Sequence, residues 1–187
     1  TIWKGEGRNL KRVFSQGYPN SLGLWYSAMT QRIGLKPNED EYILMGWAAL
    51  GDPNKYKTKI FNDFFKPLKP GNAGVRFREN LHRGCFDWAP ELNTPQDYAD
   101  IAAATQAVYE YVFTHLIKQT KKLVDSDNLV IMGGCALNCV ANSIAHKAYN
   151  GNVWIMPNPG DAGSSLGAVL AYNKDFVEWK GPYLGYN

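Results

Sequence analysis

Asp161 stands inside a glycine-rich turn, Pro159-Gly160-Asp161-Ala162-Gly163-Ser164-Ser165, and Asn138 follows a second one, Gly133-Gly134-Cys135-Ala136-Leu137. An acidic side chain at the tip of such a loop can hold a metal ion that bridges nucleotide phosphates. Glycines permit positive φ and let backbone come close to a ligand, and a helix that starts just after the turn offers unpaired N–H groups to an anion. Gly163, Ser164 and Ser165 would add N–H and hydroxyl donors for phosphate oxygens. A single loop of this kind is explained by close strand–helix packing; two loops with polar tips point to a phosphate or nucleotide.

The elements around them read clearly. Leu129, Val130, Ile131 and Met132 form a short, branched apolar run that breaks at Gly133-Gly134, after which Ala141, Ile144, Ala145 and Ala148 recur at helical spacing. Val153 to Met156 form a second run, which stops at Pro157-Asn158-Pro159-Gly160 before Ser164, Leu166, Ala168, Val169 and Leu170. Two strand–loop–helix units in succession imply parallel strands joined by a crossover helix. Both loops then open at the same end of the sheet, where α/β folds place their ligands. Asn138 suits a ligand contact and a helix N-cap alike.

These loops also carry a resemblance. GGCALNCVAN (residues 133–142) and PGDAGSSLGA (159–168) resemble the paired signatures of the O-carbamoyltransferases that act on nodulation factors and antibiotics. PNSLGLWYSAMTQRIGL (19–35), EYILMGWAALG (41–51) and YADIAAATQAVYE (98–110) are similar to further family segments in the same order. The family's transferase domain is related to the tRNA threonylcarbamoyl-transferase. The resemblance therefore implies an α/β fold of the ribonuclease H-like type, in the actin, sugar kinase and heat-shock ATPase (ASKHA) superfamily, here a partial domain with a mixed sheet and packed helices.

On that resemblance, residues 1–180 are the later part of the transferase domain, with a loop-rich insertion at about 51–93. Residues 181–187 start a linker to a C-terminal domain that makes carbamoyl adenylate from ATP and carbamoyl phosphate. It implies that Gly133, Gly134, Asn138, Gly160, Gly163, Ser164 and Glu41 line the nucleotide, and that Asp161 holds a divalent metal, iron or magnesium, that polarises the carbamoyl group. A hydroxyl of a small molecule or sugar is the implied acceptor. Two positions depart from the pattern: Asn20 replaces a histidine and Ile43 a lysine. The family's HxxxH metal motif is absent too, since His82, His115 and His146 do not have its spacing. An isolated chain of this kind is expected to be inactive. A kinase or ATPase of the same superfamily, or a non-catalytic nucleotide-binding module, are the alternatives.

The remaining chain supplies the frame. Ile2-Trp3 and Leu10, Val13 and Phe14, around Gly5-Glu6-Gly7, read as two short strands. Ser21 caps a helix bearing Leu22, Trp25, Tyr26, Met29 and Ile33 that ends at Gly34, and Asn38 with Glu41 forms a capping box for a helix running to about Leu50. Glu41 is equally a polar wall of the ligand site and a good third residue of that helix. Residues 51–93 have no clean period. His82, Arg83 and Asp87 there are candidates for an acceptor pocket. Thr94-Pro95 begins the longest helix, with a stripe of Ile101, Thr105, Val108, Val112, Leu116 and Leu123, predicted to stack on the sheet. His115 on it reads as structural, and Gln106 as a buried hydrogen bonder.

Composition sets the outer bounds. With 187 residues, 45% hydrophobic and 13% aromatic, the chain can bury a core. A net charge of +3 with no basic cluster beyond Lys121-Lys122 gives no case for nucleic acid. No run is long enough to span a bilayer and no signal-peptide pattern opens the chain, so a cytoplasmic protein is expected, as is a longer parent, because residue 1 is Thr. Cys85, Cys135 and Cys139 lack zinc spacing and are expected as buried thiols.

Overall fold

The computed structural model describes residues 1–174 and 178. The expected linker at 181–187 lies outside them. The two short N-terminal strands form as read: β1 (Ile2–Glu6) pairs antiparallel with β2 (Asn9–Phe14). Ser21 then accepts the Leu24 N–H at 3.3 Å and starts α1 (Leu22–Arg32), which buries Trp25, Tyr26 and Met29; Ile33 is buried just beyond it. Gly34, at φ 81, ends the helix.

α2 (Glu41–Trp47) runs on into a 3-10 turn at Ala48–Leu50. The expected capping box is only half present. Asp40, not Asn38, occupies the N-cap, and its carboxylate accepts the Lys36 N–H at 2.8 Å in place of a helix donor. Asn38 has φ 66 and its N–H donates to Glu41 Oε1 at 2.7 Å.

The region read as loop contains a helix, α3 (Pro53–Phe64). Asp52 caps it through the Asn54 N–H, Pro53 takes the first position, and Ile60 and Phe64 are buried at four-residue spacing. Beyond α3, the chain is tied down by Arg32. Its guanidinium, on a residue only 5% exposed, donates to the carbonyls of Trp88, Ala89 (2.6 Å) and Leu92 (2.8 Å). A buried charge without a carboxylate is tolerated here because several dipoles replace its water.

α4 (Pro95–Leu123) begins with a full capping box, Thr94 with Asp97. Its burial from Ala99 to Gln106 is continuous, whereas Leu123 is 43% exposed. The helix packs chiefly on α1, α2, α3 and the later α5 rather than lying across a sheet, which corrects the predicted stacking. Trp25, Tyr26, Tyr109 and Phe65 meet edge-on around it.

The C-terminal units follow the expected course. β3 (Asn128–Ile131) and β4 (Asn152–Ile155) pair in parallel, Asn128 opposite Asn152, with α5 (Cys139–Tyr149) as the crossover and α6 (Ser164–Asn173) after β4. Among the described residues the strands form two separate pairs, not one mixed sheet. α5 buries Ala141, Ala145 and Tyr149, whose hydroxyl donates to the Ser126 carbonyl at 2.7 Å. α6 buries none of its residues, and Val130, Met132 and Trp154 leave one face of β3–β4 exposed. No described helix is long and apolar enough to cross a membrane.

Candidate functional site

Both glycine loops leave the same end of the β3–β4 pair. Gly133, at φ 96, turns the chain out of β3, a conformation costly for residues with a Cβ. Its N–H donates to the Pro159 carbonyl at 2.7 Å and so joins the loops directly. The first loop continues as a 3-10 turn, Gly134–Leu137, and ends at Asn138, whose Oδ1 accepts the Ala141 N–H at 2.9 Å as N-cap of α5. The second turns at Asp161–Gly163 into α6. A Cβ at Gly163 would fall 2.2 Å from the Asn158 carbonyl oxygen, so this turn is closed tightly on itself.

A cleft of about 590 Å³ opens between these loops and the pair α1–α2. Gly134, Asn138, Gly160, Asp161 and Glu41, all candidates from the sequence, line it. Three other candidates do not. Gly133 spends its N–H on Pro159 and Gly163 donates to the Gly160 carbonyl at 3.2 Å. Ser164 opens α6 outside the lining. A phosphate in the cleft would therefore not be met by the Gly133 and Gly163 N–H groups.

Asn138 is held by a buried network. Gln106 Nε2 donates to it at 3.1 Å and to Glu110 at 2.9 Å, while Tyr26 Oη donates to Gln106 Oε1 at 2.8 Å. Gln106 is the buried hydrogen bonder expected of it. Burial, with the Glu110 and Glu41 charges behind it, drives the Tyr26 hydroxyl well above its ordinary range, so it stays a donor. Burial likewise raises Tyr109, whose hydroxyl donates to the Cys135 carbonyl at 3.1 Å. Glu41 is also in the lining: its Oε1 accepts from Ser27 Oγ and the Asn38 N–H, and its Oε2 has no hydrogen bond among the described residues.

Tyr26, Tyr42, Met45, Tyr109 and Leu137 give the cleft an apolar side that sequence reasoning did not assign to it. Tyr26 reads as core because it lies on an apolar helix stripe, and Tyr109 follows Val108 of another; only their hydroxyls distinguish them. Cys135 also lines the cleft; burial raises its thiol, which makes it inert rather than nucleophilic. Cys139, expected to be buried, is exposed, while Cys85 is half-buried with its thiol pushed up to about 12 by burial. His115 is structural, its Nε2 donating to the Asn72 carbonyl at 3.0 Å. Asn20, where the resemblance has histidine, accepts the Phe77 N–H at 3.2 Å. Asp87 is exposed and lines neither this cleft nor its neighbour.

The cleft offers an apolar wall, against which a base could lie, and polar groups at one end. The described residues do not by themselves make up a metal site. Among the described residues no three His, Cys, Asp or Glu side chains group to hold an ion, and Asp161 stands as a single exposed carboxylate.

Comparison with known proteins adds ancestry. A family model described as "Carbamoyltransferase N-terminus" matches residues 1–170. An uncharacterized protein of Synechocystis, sll1178, is 35% identical over 95% of this chain and 31% of its own length. Nodulation protein NolO of Bradyrhizobium diazoefficiens is 29% identical over 91% of this chain and 32% of its own. The 3'-hydroxymethylcephem-O-carbamoyltransferase of Amycolatopsis lactamdurans is 27% identical over 73% and 26%. The chain spans about a third of the length of the curated relatives it matches.

Proposed function

Since the chain belongs to the carbamoyltransferase family, we propose that its cleft receives carbamoyl adenylate and serves transfer of the carbamoyl group to a hydroxyl of a small molecule or sugar. In this reading the chain is the later part of a ribonuclease H-like domain. The donor is made from ATP and carbamoyl phosphate by another domain of the same enzyme, so the chain alone does not turn over. What carries the reading is the Gly133 N–H to Pro159 bond, which sets both loops, with Asn138 and Asp161, on one side of a nucleotide-sized cleft.

The chemistry is a substitution at the carbamoyl carbon. The acceptor oxygen bonds to that carbon, the bond from carbon to the phosphate oxygen breaks, AMP leaves with the electron pair, and the hydroxyl proton is released to water. Asn138 presents an amide fixed by Gln106, so no reorganisation is needed to orient it. In this reading Glu41 Oε2 would accept from ribose hydroxyls, and Tyr26 and Tyr109, both in the lining, would keep water from the inner wall. No step is assigned to a metal.

The test is a paired assay. AMP titrated into the chain should bind at the loops, and the full-length enzyme given ATP, carbamoyl phosphate and a hydroxyl acceptor should release AMP and carbamoylated product. Transfer of labelled γ-phosphate to the acceptor would make it a kinase. Tight nucleotide binding with no turnover, even with the adenylating domain supplied, would make it a binding module.

A further inference from the structure

Beside the cleft lies a smaller cavity of about 180 Å³, between one face of α1 and the turn at Leu81–Arg83. The two hollows share Leu24, Ser27 and Asn38 in their walls. Ser27 and the Asn38 N–H both donate to Glu41, so two of the three shared residues are joined through one carboxylate. A molecule seated in the smaller hollow is thus next to whatever occupies the larger one.

The two differ in charge. The cleft carries Glu39, Glu41 and Asp161; the small cavity has no carboxylate in its lining and has His82 and Arg83. Arg83 makes no ion pair and no side-chain hydrogen bond among the described residues. Gln31, also in the lining, has its Oε1 buried without a hydrogen-bond partner among the described residues. Gly84 makes this approach of turn to helix possible: it holds φ 84, and a Cβ there would lie 1.6 Å from Gln31 Oε1. An uncommitted guanidinium calls for an anion. A buried amide oxygen without a donor has an unmet need that a hydroxyl could fill after a small shift of the side chain.

We propose that this cavity is the acceptor subsite, and that the acceptor is a hydroxyl compound carrying an anionic group, of which a sugar acid is the simplest form. The proposal rests on the carbamoyl-transfer reading of the neighbouring cleft. The anion pairs with Arg83 at the rim, and the hydroxyl end points across the Ser27–Asn38 partition toward the donor. Selection by charge falls to the small cavity and activation to the large one.

Three sugars that differ mainly in charge provide the test: glucuronate, glucose and glucosamine, titrated into the chain and followed by amide NMR. Glucuronate should shift the Ser27 and Gly84 signals ahead of glucose, and glucosamine should leave them in place. Arg83→Gln should weaken glucuronate by up to about fivefold, the upper end for an exposed ion pair, and Arg83→Lys should retain most of its binding. Equal responses to the three sugars, or a glucuronate response untouched by Arg83→Gln, overturns the subsite. AMP, titrated separately and followed at Gly134 and Asn138, keeps the two readings apart. If AMP binds and glucuronate does not, the subsite alone falls; if glucuronate behaves as expected and AMP does not bind, the nucleotide reading falls and the anion preference stands.

Discussion

Gln106 and Asn138 exchange two hydrogen bonds, Nε2 of the first donating to Oδ1 of the second at 3.1 Å and Nδ2 of the second donating back to Oε1 at 3.0 Å. The pair ties α4 to the start of α5, and Asn138 Oδ1 caps α5 as well. Asn138→Ala removes the cap and half of a buried amide pair, and should cost about 2–3 kcal/mol in chemical denaturation. Asn138→Asp keeps the capping oxygen and should cost less. Equal losses from the two would show that the cap contributes little.

Asp97 predicts an acid-labile helix start. Hydrogen bonds from the Thr94 and Tyr56 hydroxyls, with the nearby Lys55 charge, hold its carboxyl at about 2. Because the folded value lies below the unfolded one, near 3.9, its contribution is present above about pH 4 and disappears as pH falls toward 2. Thr94→Ala should lower Tm at pH 7 and narrow the gap to the parent chain at pH 2.5. A constant gap across that range would remove Asp97 from the explanation.

Gly51 joins the turn after α2 to α4, where its absent Cβ would lie 2.1 Å from the Ala99 carbonyl oxygen. Gly51→Ala should destabilise by about 1–3 kcal/mol, the cost of overpacking a fixed backbone contact. Gly46, with nothing within 4 Å of the same position, serves as the control. Gly46→Ala should be neutral or stabilising, as expected inside a helix.

Asp161 is exposed and its side chain bonds to no neighbour among the described residues, so Asp161→Ala should change stability by less than about 0.5 kcal/mol. On the proposed reading, in which Asp161 lines the donor cleft, the same change in the full-length protein should lower carbamoyl transfer. Unaltered turnover would take Asp161 out of the site.

Local chemistry was legible where it was self-contained. Thr94-Pro95 with Asp97 announces α4, and Gly133-Gly134 announces the end of β3, because both signals act within one turn of chain. α3 had a signal of the same kind in Asp52-Pro53, but its surface lysines, Lys55, Lys57 and Lys59, dilute the apolar spacing of Tyr56, Ile60 and Phe64. Asn38 misled because Asp40 took the cap position two residues on. The loop residues of the cleft could be read ahead of the fold, whereas Tyr26 and Tyr109 could not: facing a ligand and facing a core call for the same side chain. That the Gly133 and Gly163 N–H groups are spent within the loops is a tertiary fact with no trace in their spacing.

The bare face of β3–β4 and the unburied α6 leave a calorimetric signature. Val130, Trp154, Val169 and Tyr172 are 51%, 64%, 56% and 89% exposed. Surface already wet in the native state is not newly hydrated on unfolding. The heat-capacity increment should therefore fall below the usual ~12–15 cal/mol/K per residue, and the stability curve should be correspondingly shallow. A full-sized increment would mean that those side chains are sheltered in solution.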